Sequence, residues 1–275
     1  MDPVLLHLGP SDRSPPETLD GALRATPFFE VGSREFLLRT PSGGRMHYVS
    51  GEGIAVREPD GRPVGDMQPF VATSGFAAAA WLAGYVPLAV NAAQLPDGQL
   101  LLIAHGTEDL REGMAVAMAK AAGLALADSP VVINPENPTQ VCTNGQSITL
   151  RRMSKDAPEP PVRPGARRLA TTLPAIDGLQ VHRCAGMLCL AEAGPASGPP
   201  GLERLSMLQA IAEIRNHVFM ALVGKAIWGQ ETIGTANMIL AGSLPMLRFT
   251  LAEGQKITAD LAGDLLAELL TPEAG

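Results

Sequence analysis

The chain has 275 residues, 46% of them hydrophobic and 4% aromatic, and a formal net charge of −7. That composition excludes a wholly disordered chain and suffices for one or two cores built mainly from Ala, Leu and Val. The negative charge, spread along the chain, argues against a nucleic-acid partner.

Residues 1–26 read as an N-terminal arm ending in a short amphipathic stretch at Leu19, Ala22 and Leu23. Phe28 to Leu38 and Arg45 to Arg57 read as strand pieces separated by Gly-containing turns, so 27–70 is an antiparallel β layer. Phe76 to Leu82 reads as a short apolar helix, and Tyr85 to Leu95 as a strand closed by the Pro-Asp-Gly turn at 96–98. Leu100 to Ala104 is an apolar run of strand length. A polar turn follows, then a helical pattern through Met114, Ala117, Met118 and Ala121 that Gly123 ends. Leu124 to Ala127 and Val131 to Ile133 read as further strands, with Asp128 between them. Val141 to Leu150 suggests a hairpin about Asn144-Gly145.

Residues 151–168 change character, with four Pro, five Arg and one Lys in an acidic chain. They read as a loop, with a lid or docking segment for an acidic ligand as the alternative. Residues 169–275 hold the C-terminal strands and helices. Leu179 to Glu192 reads as strands about a turn at Ala185–Gly186, and Leu205 to Val223 as one long helix. Glu231 to Ala241 reads as a helix ended by Gly242, Leu244 to Leu251 as a strand, and Ile257 to Leu270 as the closing helix.

Three cysteines, Cys142, Cys184 and Cys189, cannot all pair and lack metal-site spacing, so buried thiols are expected and no metal. The first ten residues lack a secretory pattern, and no apolar run approaches the ~20 residues of a spanning helix. The expectation is a cytoplasmic chain that does not enter a membrane.

Strand, turn, helix, strand and acid over 99–134 make the skeleton of a phosphate-binding P-loop unit, residues 71–150 in all. The chemistry of such a loop is missing. Laid on Gly-x-x-x-x-Gly-Lys-[Ser/Thr], His105 and Leu110 take the glycine places, Arg111 the lysine and Glu112 the hydroxyl. Carboxylates at Glu108, Asp109 and Glu112 repel phosphate and suit a helix N-terminus by themselves. His105, Glu108, Asp109, Arg111 and Asp128 gather at strand ends, where open α/β sheets hold ligands, and are the candidate acid–base or binding residues. His217 and Trp228 are candidate ligand-binding residues that would close the side of that crevice, although the Arg215-Asn216-His217 run reads as an exposed helix face. His47 and His182 read as structural.

The segments FAAAAWLAGYVPLAVNAAQLPDGQLLLIAHG, GLALADSPVVI and LPMLRFTLAEG resemble the kinase domain of the HPr serine kinase/phosphorylase family, and more closely the HPr-kinase-like proteins of bacterial biosynthetic clusters. Gly84, Tyr85, Pro87, Leu88, Asp97 and Gly98 match the framework. Ala89 stands where relatives carry His, and Ser129 replaces the second acid of an Asp-Asp pair whose first is Asp128. The resemblance implies an α/β, P-loop-kinase-like sheet of the HPr kinase type with flanking helices, over 27–275. Combined with the degenerate loop it implies a pseudokinase without a nucleotide cofactor, acting on a small-molecule, peptide or protein partner of a biosynthetic or regulatory pathway, with a homo-oligomer as a further option. The alternatives are a nucleotide-independent enzyme of natural-product biosynthesis in the converted cleft, and a divergent serine kinase.

Overall fold

The computed structural model describes residues 6, 8–61, 65–105, 107–146, 149–151, 168–170, 176, 179–193 and 199–270, with the side chains of 108, 109, 149–151 and 168–170 outside that description. The expected Pro/Arg-rich loop therefore lies almost wholly outside the described residues.

The N-terminal layer is an antiparallel meander of β1 (Arg24–Ala25), β2 (Phe29–Val31), β3 (Glu35–Arg39), β4 (Arg45–Val49) and β5 (Gly53–Arg57), paired in chain order. The described part of the arm before it docks on this layer. Ser11 N–H donates to Ile54 O at 2.8 Å, Leu19 is buried, and Leu23 is exposed. Gly53 makes this docking possible: it has φ +87°, and a Cβ there would sit 2.3 Å from Gly9 O.

Next come α1 (Gln68–Phe70), a π-helical stretch at Val71–Gly75, and α2 (Phe76–Leu82), in which Ala77 to Trp81 are fully buried. Small residues let this helix approach the meander closely, since a Cβ on Gly75 would lie 3.1 Å from both Ile54 and Met46.

The large sheet contains β6 (Val86–Leu88), β7 (Asn91–Gln94), β8 (Leu100–Ala104), β9 (Leu126–Ala127), β10 (Val131–Asn134) and β11 (Asn137–Thr143). A two-stranded ribbon, β12 (Thr149–Arg151) and β13 (Arg168–Ala170), stands apart. The sheet is completed by β14 (Val181–Glu192), β15 (Gly201–Arg204) and β16 (Met246–Leu251). Its order is β6-β10-β11-β14-β8-β7-β9, with β16 on β14 and β15 on β16. At its centre β8, β14 and β16 run parallel. The helices are α3 (Glu108–Ala122) between β8 and β9, then α4 (Met207–His217), α5 (Ala221–Trp228) and α6 (Gln230–Ser243), and finally α7 (Ala259–Leu270).

The period of two along the central strands sorts their side chains into two cores. Leu100, Leu102 and Ala104 of β8, with Met187 and Cys189 of β14, face α2, α4 and α6. Leu101 and Ile103, with Leu188 and Leu190, face Met114 and Met118 of α3 and Leu265 and Leu266 of α7. The fold is thus mixed α/β, with an antiparallel sheet, a curled mixed sheet and helices on both faces of its centre. Among the described residues no helix is long and apolar enough to cross a membrane.

Several local expectations are corrected. Tyr85 to Leu95 is two strands, because β6 pairs with β10 while β7 turns away to pair with β8 and β9. Asn144-Gly145 does not close a hairpin: β11 returns on β10, and β12 pairs with β13 instead. Residues 181–192 form one strand, not two about a turn. Gly186 makes a bulge there, at φ +155°, where a Cβ would meet Pro245 O at 2.6 Å. The long helix breaks after His217: Val218 bridges to Leu88, and Met220 has φ +52° before α5 starts. α6 runs through Gly242 to Ser243.

Candidate functional site

The parallel centre of the sheet has its carboxyl ends along one edge, where His105 follows β8 and Thr107 precedes α3. His105 Nδ1 accepts the backbone N–H of Thr107 at 2.7 Å and lies 2.8 Å from Thr107 Oγ1. Thr107 is the N-terminal flank of α3, so an amide that a phosphate loop would aim at its ligand is bonded inside the protein.

Arg111, a candidate residue of the strand-end cluster, is buried, at 7% exposure. One turn into α3, its side chain reaches across to β7. Nε donates to Asn91 Oδ1 at 2.5 Å and Nη1 to Ala89 O at 2.7 Å. Asn91, itself fully buried, passes the chain on, donating from Nδ2 to Asp128 Oδ1 at 3.1 Å. The same Asp128 oxygen accepts Ser129 N–H at 2.7 Å, and Asp128 N–H donates to Gln146 O. The cation at the lysine place is thus built into a charge-assisted network that ties α3 to β7 and to the acid after β9.

His217 corrects the expected exposed face of α4. It is buried at 6% exposure, while Arg215 and Asn216 point outward. Its carbonyl accepts Ala89 N–H at 2.7 Å, so Ala89 is held from its two sides by His217 and Arg111. Glu213, one helical turn earlier, lies 3.7 Å from His217 Nε2. Burial pushes the imidazole's pKa below its ordinary value. Glu213 opposes that shift, and the positive charges of Arg111 and His105 add to it. His217 is therefore a neutral imidazole at pH 7, within electrostatic reach of His105 and Arg111.

Glu213 also accepts Arg248 Nη2 of β16 at 3.0 Å, and Arg248 Nη1 reaches Glu203 of β15 at 3.4 Å. Cys189, paired in register with Ala104 on one side and Arg248 on the other, lies beneath this pair. Its thiol is held up chiefly by burial and then by the Glu213 carboxylate.

The structure thus brings together His105, Arg111, Asp128 and His217. The side chains of Glu108 and Asp109 lie outside the described residues, although their backbone forms the first turn of α3. Glu112 is buried. Trp228 does not close this crevice. It ends α5 and lines a separate cleft with Gly84, Pro135 and Glu136, at the end of β6 away from Ala89. Its indole N–H donates to Trp81 O at 3.1 Å, and the two rings meet edge to face, with centroids 4.9 Å apart. His47 pairs with Glu35 at 2.8 Å on the meander, far from this edge in the topology.

Sequence reasoning missed Asn91, Glu213 and Arg248. A polar Asn within the apolar run Ala89-Val90-Asn91-Ala92-Ala93 was a readable sign of a buried network, and Glu213-x-x-x-His217 is a one-turn helical pair. Nothing local marked Arg248. Chemically, the cluster offers a neutral imidazole, carboxylates and held cations: groups that can orient a polar ligand or move a proton. Among the described residues no group of three or more His, Cys, Asp and Glu is placed to hold a metal ion. No protein-family model matches the chain, and no curated protein matches it.

Proposed function

We propose that the chain is an HPr-kinase-like pseudokinase: a P-loop-kinase-like domain that has given up phosphoryl transfer and acts in the cytoplasm by binding a partner or small ligand of a bacterial biosynthetic or regulatory pathway. The observation that supports this most is the internal use of the phosphate-binding parts. Thr107 N–H is bonded to His105, and Arg111, at the lysine place, is bonded to Ala89 O and Asn91. Phosphoryl transfer is catalysed by positioning and charge stabilisation from those same parts, so their engagement within the fold removes the means. Calorimetry with millimolar ATP or GTP and magnesium tests the reading. No saturable binding is expected. Saturation with micromolar affinity overturns it.

His217 favours a second reading, a nucleotide-independent enzyme. A buried, neutral imidazole beside Glu213 and His105 is suited to general-base work at neutral pH. On that reading His217→Asn and His105→Asn, with the melting temperature retained, abolish formation of the pathway product in a reconstituted cluster. Unchanged product from both leaves binding as the function.

A further inference from the structure

At the end of β6 away from the His105 cluster, α6 and the turn joining β10 to β11 border an open cleft of about 640 Å³. That is within the volume range of small-molecule sites, roughly 300–1,000 Å³. Its walls are Trp228, Pro135, Ile239 and Ala236, with Gly84, Thr232 and Thr235. The charged residues in the lining are Glu136 and Glu231, with no Lys or Arg among them. Neither carboxylate has an ion-pair or hydrogen-bond partner among the described residues.

Trp228 is held in one position. Its N–H is engaged by Trp81 O, and its ring is braced against Trp81 at 86°. Trp81 is itself anchored, donating to Phe219 O at 3.0 Å. The ring therefore offers the cleft an apolar, electron-rich surface with no free donor. A fixed indole, aliphatic walls and two uncompensated carboxylates complement one kind of guest, a cation carried on an apolar stem. An anion would meet the negative charge of Glu136 and Glu231, and a purely apolar guest would leave both carboxylates without a partner.

We propose that this cleft is a binding site for an organic cation, a guanidinium or primary ammonium on an aliphatic chain, held between Trp228 and the carboxylates of Glu136 and Glu231. It is distinct from the His105 cluster and does not depend on the reading of that cluster. The chemistry is shared by a free small-molecule amine and by an Arg or Lys side chain of a docking peptide.

The full-length chain is titrated with agmatine, with a capped Leu-Arg-Leu peptide and with the corresponding Leu-citrulline-Leu peptide. Calorimetry and tryptophan emission are followed together. Saturable binding of at least one cationic probe, absent for the citrulline peptide and weakened by added salt, is expected. Agmatine alone binding assigns the site to small amines; the peptide binding more tightly assigns it to a partner's side chain. Glu136→Gln and Glu231→Gln are both at exposed positions and are expected to keep the fold. Each should weaken binding about two- to five-fold, and the pair should compound the loss, as for partly exposed ion pairs. No saturable binding of either cation overturns the proposal. So do equal binding of the citrulline peptide and binding unchanged in the double variant.

Discussion

At the residue scale, the charge network around Asn91 makes a sharp demand. Asn91 accepts from the buried Arg111 guanidinium and donates to Asp128, so truncation strands groups that burial has removed from water. Asn91→Ala is expected to cost about 1–3 kcal/mol, read as a lower urea midpoint at unchanged slope. His217 carries a pH signature. Its folded pKa lies below the ordinary 6.5, so the folded state binds its proton less readily than the unfolded state does. The stability it contributes is present above pH 6.5 and is lost as pH falls from there through the folded value. The melting temperature should fall between pH 7 and pH 5, and His217→Asn should flatten that fall. An equally steep profile in the variant would place the titrating group elsewhere.

At the element scale, the joint between α2, α5 and β6 decides how the strand-end cluster is assembled. Hydrophobic spacing runs without a break from Leu208 to Leu222, which is why one helix is expected there. The fold interrupts it because Val218 is drawn into a bridge with Leu88, while Phe219 N–H donates to Pro87 O and Phe219 O accepts the Trp81 indole. That interruption leaves His217 as the last residue of α4, with its carbonyl on Ala89. The joint closes only because residue 224 has no side chain: a Cβ on Gly224 would lie 2.7 Å from the Trp81 ring. Gly224→Ala is expected to destabilise by about 1–3 kcal/mol, since Trp81 is fully buried and has nowhere to move. A similar loss is expected for Gly186→Ala in β14, where a positive φ and the approach of Pro245 O act together. Thermal melts of both variants check these losses.

At the scale of the whole molecule, all three thiols are buried, Cys184 and Cys189 in the core that faces α2, α4 and α6, and Cys142 in a smaller cluster with Phe76, Tyr85 and Val132. Burial pushes Cys142 up to about 11 and Cys184 up to about 12, and raises Cys189 as well. Only about one Cys142 in a thousand is then thiolate at pH 8, and none of the three is open to reagent. The native chain should react negligibly with a thiol-directed disulfide reagent, and all three thiols should react on unfolding in urea. Rapid labelling of one thiol without urea would reveal local opening of its part of the sheet.

What the sequence determined by itself was mostly local. The antiparallel character of the first layer, the strand-turn-helix of 100–123 with its Gly123 stop, and the strand before the closing helix are all written in short-range apolar periods and turn residues. So was the loss of the phosphate-loop residues, which needs only a comparison of side chains with their task. Of the candidate residues, His105, Arg111, Asp128 and His217 do come together at one sheet edge. The tertiary structure alone decided that Arg111 and His217 are buried, that Asn91 meets Arg111 and Asp128, that Arg248 meets Glu213, and that Trp228 belongs to a different cleft. Each of those depends on which strands become neighbours. Pairing β6 with β10, and β14 with both β8 and β16, brings together residues far apart in the chain, and no local period encodes such a contact.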